Sequence, residues 1–253
     1  MDDMTIRPAG EEHSLRGYFS VSRTATYGFL TALPLLVVYE VLIVAANRDA
    51  VHQIRISAEV WMKSLFALTG LAGSHILAVA VLVVGIIVIA VERRKKIPLR
   101  PKYFTFMICE SAVYAAAVAL LISRITTLIF GAAPAAAQME EQSQLMQLTL
   151  SVGAGVYEEL LFRVILVGGL FMIFKRLLSG KRAYVYILAA VIGALVFSAV
   201  HYTGAMGDEF EVSSFFFRAL FGIALNALYL FRGFGIAAWT HALYDILVVL
   251  VLS

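Results

Sequence analysis

The sequence holds a single cysteine, Cys109, so it can form no internal disulfide and build no cysteine-rich metal cluster. Lying in an apolar run, Cys109 reads as a small core residue. Charge is scarce as well. Asp, Glu, Lys and Arg make up 15% of the 253 residues and hydrophobic residues 61%, against roughly a quarter and a half in soluble domains. That balance excludes an ordinary soluble globule and describes an integral membrane protein. The formal net charge of +3 does not signal a nucleic-acid partner, because the basic residues gather in short loops between apolar segments, where membrane orientation accounts for them. Internal repeats, low-complexity tracts and linkers are also lacking, so residues 1–253 read as one integral membrane domain.

What is present is apolar length. A helix needs about 20 apolar residues to cross a bilayer core of about 30 Å, and seven stretches qualify: 24–46, 73–91, 104–130, 146–174, 185–202, 214–231 and 234–252. The first is preceded by residues of both charge signs and is too long for a signal-peptide core, so a retained span is expected. Between the first two, Ile56, Val60, Trp61, Leu65 and Leu68 fall on one helical face and Arg55, Glu59 and Lys63 on the other, the pattern of an interfacial helix lying on the membrane. The expected fold class is therefore all-α: a polytopic transmembrane bundle of about seven spans plus one interfacial amphipathic helix. Residues 93–102 carry six Lys or Arg and 175–182 carry four, whereas 131–145 and 203–213 carry none. The positive-inside rule then places the N-terminus in the cytoplasm. Arg48, Arg55 and Lys63 run against that orientation, an exception the interfacial helix accommodates. The Ala-rich run 131–138 reads as a turn.

An ionisable side chain at mid-membrane costs about 2.5–3.5 kcal/mol on insertion scales, so each one raises a functional question. Glu40, Arg124 and Arg218 lie near span ends, where snorkelling to the interface explains them. Glu110, deeper in its span, reads as a buried hydrogen-bonding partner, and His13, His52 and His75 as solvated. Three groups remain: Glu158, Glu159 and Arg163 in "EELLFR"; Phe197 and His201 in "FSAVH"; His241 and Asp245 in "HALYD". On a helix Glu159 and Arg163, four apart, meet on one face, and Glu158 points about 100° away. Pairing neutralises one carboxylate and leaves the other. His241 and Asp245 are also four apart, so the carboxylate can hold the imidazole, and Phe197 and His201 share a face. Carboxylates and two histidines on three separate spans are what hydrolysis by activated water requires. Gly153, Gly155, Gly168 and Gly169 allow neighbouring helices to approach the first group closely.

At these residues the chain resembles the CAAX-protease and bacteriocin-processing family of intramembrane proteases, similar to the Ras-converting type of prenyl-protein endopeptidase, whose pattern is EExxxR, FxxxH and HxxxN or HxxxD. The resemblance covers roughly residues 105–252. It implies a helical membrane protease with Glu158 as the general base, His201 holding or polarising the water, and His241 stabilising the oxyanion. Asp245 would orient His241, and Glu159, Arg163 and Phe197 would support the site. Many family members carry Asn where this chain has Asp245, and an ionised carboxylate there would repel an oxyanion. Asp245 therefore either carries a proton or acts only through His241, and the second is preferred. The substrate implied is a peptide or protein, lipidated or membrane-anchored, and the setting expected is the plasma membrane of a bacterium.

Metalloprotease-like chemistry is the other possibility. Glu158, His201, His241 and Asp245 have donor types that zinc accepts, but no HExxH helix is present, and a metal-free, glutamate-dependent reaction is favoured. No GxSxG serine signature and no aspartyl GxGD occurs. Two rival functions use the same residues: a proton-coupled transporter, for which the paired repeats are missing, and a catalytically idle membrane adaptor or immunity protein on the same fold.

Overall fold

The computed structural model describes residues 15–48, 54–70, 75–131, 142–204 and 207–252, and every regular element among them is a helix. In chain order these are α1 (Leu15–Ser22), α2 (Ala25–Ala46), α3 (Ser57–Leu68), α4 (Ile76–Glu92) continued by a 3-10 turn (Arg93–Lys95), α5 (Pro101–Phe130), α6 (Gln144–Glu158), a π-helical segment (Glu159–Val167), α7 (Gly168–Leu177), α8 (Arg182–Val200), α9 (Val212–Arg232) and α10 (Phe234–Leu252). His13 and His52 lie outside the described residues, as does most of the Ala-rich run.

The boundaries follow local chemistry. Pro101 opens α5 at a position where its missing N–H costs nothing. Ser143 caps α6 by accepting from the N–H of Met146. Gly233, at φ +86°, makes the sharp turn from α9 into α10.

Among the described residues, five helices are long and apolar enough to cross a membrane: Ala25–Ala46, Ile76–Lys95, Pro101–Phe130, Arg182–Val200 and Val212–Arg232. The other two expected spans are helical too. Residues 144–177 run on through α6, the π segment and α7, and α10 is an apolar helix. The bundle turns its apolar side chains outward: Val41, Ile86, Val113, Leu120 and Leu128 are exposed on α2, α4 and α5, as an apolar solvent requires. Cys109 lies on this outward surface, not in the core. In an apolar solvent a small apolar residue gains little by choosing the inside, so its apolar neighbours did not decide its position.

Helix α3 has the expected faces, but the charged one points inward. Val60, Leu65 and Leu68 are exposed, whereas Glu59 is fully buried. It is satisfied there by Arg55 at 2.6 Å, by Lys63 and by the hydroxyl of Tyr39. The protein interior supplies the partners that lipid cannot.

Helix α10 packs against α2, α5, α6 and α9 and lies at the centre of the arrangement. It is pinned by the indole N–H of Trp239, which donates to the carbonyl of Thr31 at 2.7 Å. A second layer forms where α8 packs on α9 and on the π segment. The expected residues meet between these layers.

Candidate active site

Residues 144–177 form one continuous run in which the hydrogen-bond pattern changes at Glu159. Up to Glu158 the helix is α, and from Glu159 to Val167 it widens to π geometry, so that the N–H of Gly168 reaches the carbonyl of Arg163. Such insertions are rare and concentrate at functional sites. Hydrophobic periodicity carries no signal for one, so from sequence the segment reads as ordinary α-helix.

The approach of this run to α10 depends on Gly155. A Cβ at that position would lie 2.5 Å from the carbonyl oxygen of Ala238 and 2.7 Å from the Cβ of Ala242, so α6 and α10 touch backbone to backbone one turn before Glu158. Gly153 serves the α2 side, where a Cβ would strike the ring of Tyr39 at 2.4 Å. Gly168 and Gly169 serve no such crossing: a Cβ would meet nothing closer than 3.7 Å at the first and nothing within 4 Å at the second.

The backbone contact brings the first and third motifs together around His241, which is buried. Glu159 Oε1 stands 2.7 Å from Nδ1 of His241 and 2.9 Å from Nη1 of Arg163. On the other side of the ring, Nε2 lies 3.4 Å from Asp245 Oδ2 and 3.9 Å from Glu158 Oε2. The expected Glu159–Arg163 pair is formed, and the same carboxylate also holds His241. The hydrogen bond to that imidazole comes from Glu159, whereas Asp245 sits at the opposite nitrogen, beyond strong hydrogen-bonding distance. Spacing along α10 alone made Asp245 the natural partner, because a helical pattern cannot report a carboxylate 82 positions away.

Glu159 and Arg163 are both fully buried, where an uncompensated charge would be costly. Their ion pair makes the Glu159 carboxylate an acceptor, which puts the bridging proton on Nδ1 of His241 and turns Nε2 towards Glu158 and Asp245. Within 4 Å, His241 is the only ion-pairing neighbour of Glu158 among the described residues.

His201 closes α8 and is held by its own helix. Its Nδ1 is 2.7 Å from the carbonyl of Phe197, and since a carbonyl only accepts, Nδ1 carries the proton and Nε2 is left as an acceptor. The ring of Phe197 joins the groups. It lies edge-on to His201 at 4.9 Å and to His241 at 6.0 Å, with the Arg163 guanidinium 4.6 Å over its face. Span ends alone put the two histidines at different depths; contact with one aromatic ring brings them to one place. Phe221 of α9, which the motifs do not include, packs 5.1 Å from His241 and 4.4 Å from Tyr244.

Other ionisable groups find partners elsewhere. Glu110 takes Arg232 through two contacts of 2.6 and 2.8 Å, along with the hydroxyls of Tyr18 and Tyr114, which agrees with a structural reading. Glu40 does not simply snorkel: it accepts from Tyr157, the residue before Glu158, at 2.7 Å and pairs with His75 at 2.9 Å. Arg218 pairs with Asp208 and lies over the ring of Tyr202. Both departures share a cause, since a buried partner from a distant helix is cheaper for a charge than a stretched path to the interface.

Residues 140–247 match the family model described as type II CAAX prenyl endopeptidase, Rce1-like. The chain carries a domain of this CAAX protease family. The matched segment contains all three motifs, from Glu158 to Asp245, and begins after α5, whereas the resemblance in the sequence reaches back to about residue 105. No curated protein and no solved structure matches the chain. The matched domain lies within a bundle of apolar helices, which makes this an integral membrane protein, and the family of that domain implies a peptide or protein as the substrate class.

Proposed function

We propose that the chain is an intramembrane endopeptidase in which Glu158 activates the attacking water. The observation that carries this reading is the unequal treatment of two adjacent carboxylates around one imidazole. Glu159 is engaged by Arg163 and by Nδ1 of His241, while Glu158 faces Nε2 across 3.9 Å and, among the described residues, pairs with no Lys or Arg. A gap of that size beside an uncommitted carboxylate suits a water or a reacting group.

In this reaction Glu158 takes a proton from water as the oxygen attacks the scissile carbonyl, and His201 accepts a hydrogen bond from that water through Nε2. The developing oxyanion is met by a proton on Nε2 of His241, whose ring Glu159 holds from behind. Collapse of the tetrahedral intermediate breaks the C–N bond, and Glu158 returns its proton to the leaving amine. Asp245, 3.4 Å from Nε2, balances the charge of a doubly protonated His241.

The reaction is proposed as metal-free. Among the described residues, no three His, Cys, Asp or Glu side chains are grouped so as to hold a metal ion. On that grouping Glu158, His201, His241 and Asp245 do not assemble as a zinc set, and the proposed reaction uses only the chain's own side chains. On the family description, a prenylated or otherwise membrane-anchored tail is the proposed substrate. The basic loops support a cytoplasmic N-terminus, and a bacterial plasma membrane is the proposed location.

The deciding experiment reconstitutes the purified protein in liposomes with a fluorogenic peptide library carrying lipid-anchored and unanchored members. Cleavage by the wild type and its loss in Glu158→Gln supports the reading. Undiminished cleavage in that variant, or proton-dependent solute flux without cleavage, overturns it.

A further inference from the structure

Among the described residues, the buried donors near the site without a hydrogen-bond acceptor include the guanidinium nitrogens of Arg163, which is ion-paired with Glu159, and, further out, Nη1 of Arg218 and the hydroxyl of Tyr202. The last two belong to one cluster, because the Arg218 guanidinium lies 5.1 Å over the Tyr202 ring. Arg218 is one turn before Phe221 on α9, and Phe221 packs against His241. Through Asp208 it also reaches His201. The Asp208 carboxylate pairs with Nη2 of Arg218, and the Asp208 backbone N–H donates to the carbonyl of His201 at 2.9 Å.

Glu158, Glu159 and Asp245 make the site a repellent place for an anion. Arg163, the guanidinium at its heart, has unsatisfied nitrogens too, but it is fully buried between its partner Glu159 and the Phe197 ring and is closed to an incoming carboxylate. A carboxylate arriving with a peptide therefore needs a second cation. Arg218 offers one, with a spare donor and part of its side chain accessible. A guanidinium grips a carboxylate best through two parallel N–H groups, and Asp208 takes only Nη2, leaving Nη1 unsatisfied.

We propose that Arg218, with the Tyr202 hydroxyl, is the receptor for a substrate carboxylate, and that Asp208 occupies it in the resting protein. The inference rests on the peptidase reading above. Binding exchanges one carboxylate for another: the loop of Asp208 lets go of the guanidinium, the substrate's two oxygens take its N–H groups, and the peptide is anchored beside His201. A peptide carries carboxylates at its C-terminus and on Asp or Glu side chains, and the C-terminal one is assigned here because every peptide substrate has it.

The test uses the full-length protein in liposomes and three peptides of one cleavable sequence: a C-terminal free acid, the C-terminal amide, and the amide with Asp as its last residue. The wild type should cleave the free acid with kcat/KM at least about tenfold above the amide, an effect of roughly 1.4 kcal/mol residing in KM. Arg218→Gln should bring that ratio to one and Arg218→Lys should keep part of it. Asp208→Asn, by removing the internal competitor, should raise it. An Asp-terminated amide that matches the free acid supports the receptor and moves the source to a side chain. Equal cleavage of all three by the wild type, or a proportional fall for all three in Arg218→Gln, overturns the proposal. A wild type that cleaves none overturns the peptidase reading itself.

Discussion

One oxygen of Glu159 lies 2.7 Å from Nδ1 of His241 and 2.9 Å from Nη1 of Arg163, joining the first and third sequence motifs through a single atom. This makes Glu159 answerable for two separable properties. Glu159→Ala removes the acceptor that orients His241 and leaves Arg163 charged, buried and unpaired, at a cost of about 3–5 kcal/mol. The double variant Glu159→Ala/Arg163→Met removes both charges and should recover most of that stability with no recovery of cleavage. Thermal unfolding in detergent alongside kcat separates the two effects. Parallel recovery of both would show that Glu159 has no role beyond packing.

Glu158→Gln preserves the shape of the side chain and deletes its basicity. Peptide cleavage should fall about a hundredfold to ten-thousandfold, the usual worth of a positioned general base, with KM little changed, since the group acts on water. The unfolding temperature should not fall, because Glu158 makes no close ion pair whose loss would expose a buried charge. A rate within a factor of a few of the wild type would remove Glu158 from the chemistry.

The residues of this site were legible in the sequence, but the bonds between them were legible only along single helices. Spacing of four predicted the Glu159–Arg163 pair because both partners lie in one run. The same logic made Asp245 the holder of His241, and here it met a competitor from another helix that no periodicity encodes. Glu40 and Arg218 read as span-end charges for the same reason: their partners, Tyr157 and Asp208, are distant in sequence or in a connecting loop. The apolar runs located the helices well, because length and hydropathy are local. Which side of α3 faces inward was not local, since Glu59 is buried only because Tyr39, Arg55 and Lys63 converge on it.

Removal of divalent metals should leave cleavage intact. Holding zinc with both histidines would require their Nε2 atoms together, and no metal-ligating group of three is formed among the described residues. Incubation with a strong zinc chelator, followed by metal analysis and assay of the same sample, should show full activity at negligible bound metal. Activity lost with the chelator and restored by stoichiometric zinc would replace the metal-free reaction with a metal-assisted one.

Tyr157 precedes Glu158 and donates to Glu40 across to α2 at 2.7 Å. Tyr157→Phe deletes a hydrogen bond to a charged acceptor, worth about 1.5–3 kcal/mol. His75 remains at 2.9 Å from the same carboxylate, so the observed loss should fall at the low end. Cleavage should fall less steeply than in Glu158→Gln, because the hydroxyl anchors the helix and touches no reacting group. A loss of cleavage as deep as that of Glu158→Gln would place Tyr157 in the chemistry instead.

Two glycines in the same continuous run should respond in opposite ways to the same added methyl group. At Gly155 a Cβ would meet the carbonyl oxygen of Ala238 at 2.5 Å and the Cβ of Ala242 at 2.7 Å. Neither neighbour can rotate away, so α6 must retreat from α10. The overpacking should cost about 1–3 kcal/mol, and the retreat pulls Glu158 and Glu159 off His241, so activity should fall at least about tenfold. At Gly169 a Cβ meets nothing within 4 Å, and replacing a helical glycine by alanine gains up to about 1 kcal/mol. Gly169→Ala should therefore leave cleavage unchanged and raise the unfolding temperature slightly. Measuring both variants side by side isolates the helix crossing from glycine content as such. An active, stable Gly155→Ala would mean that the backbone contact between α6 and α10 does not set the distance from Glu159 to His241.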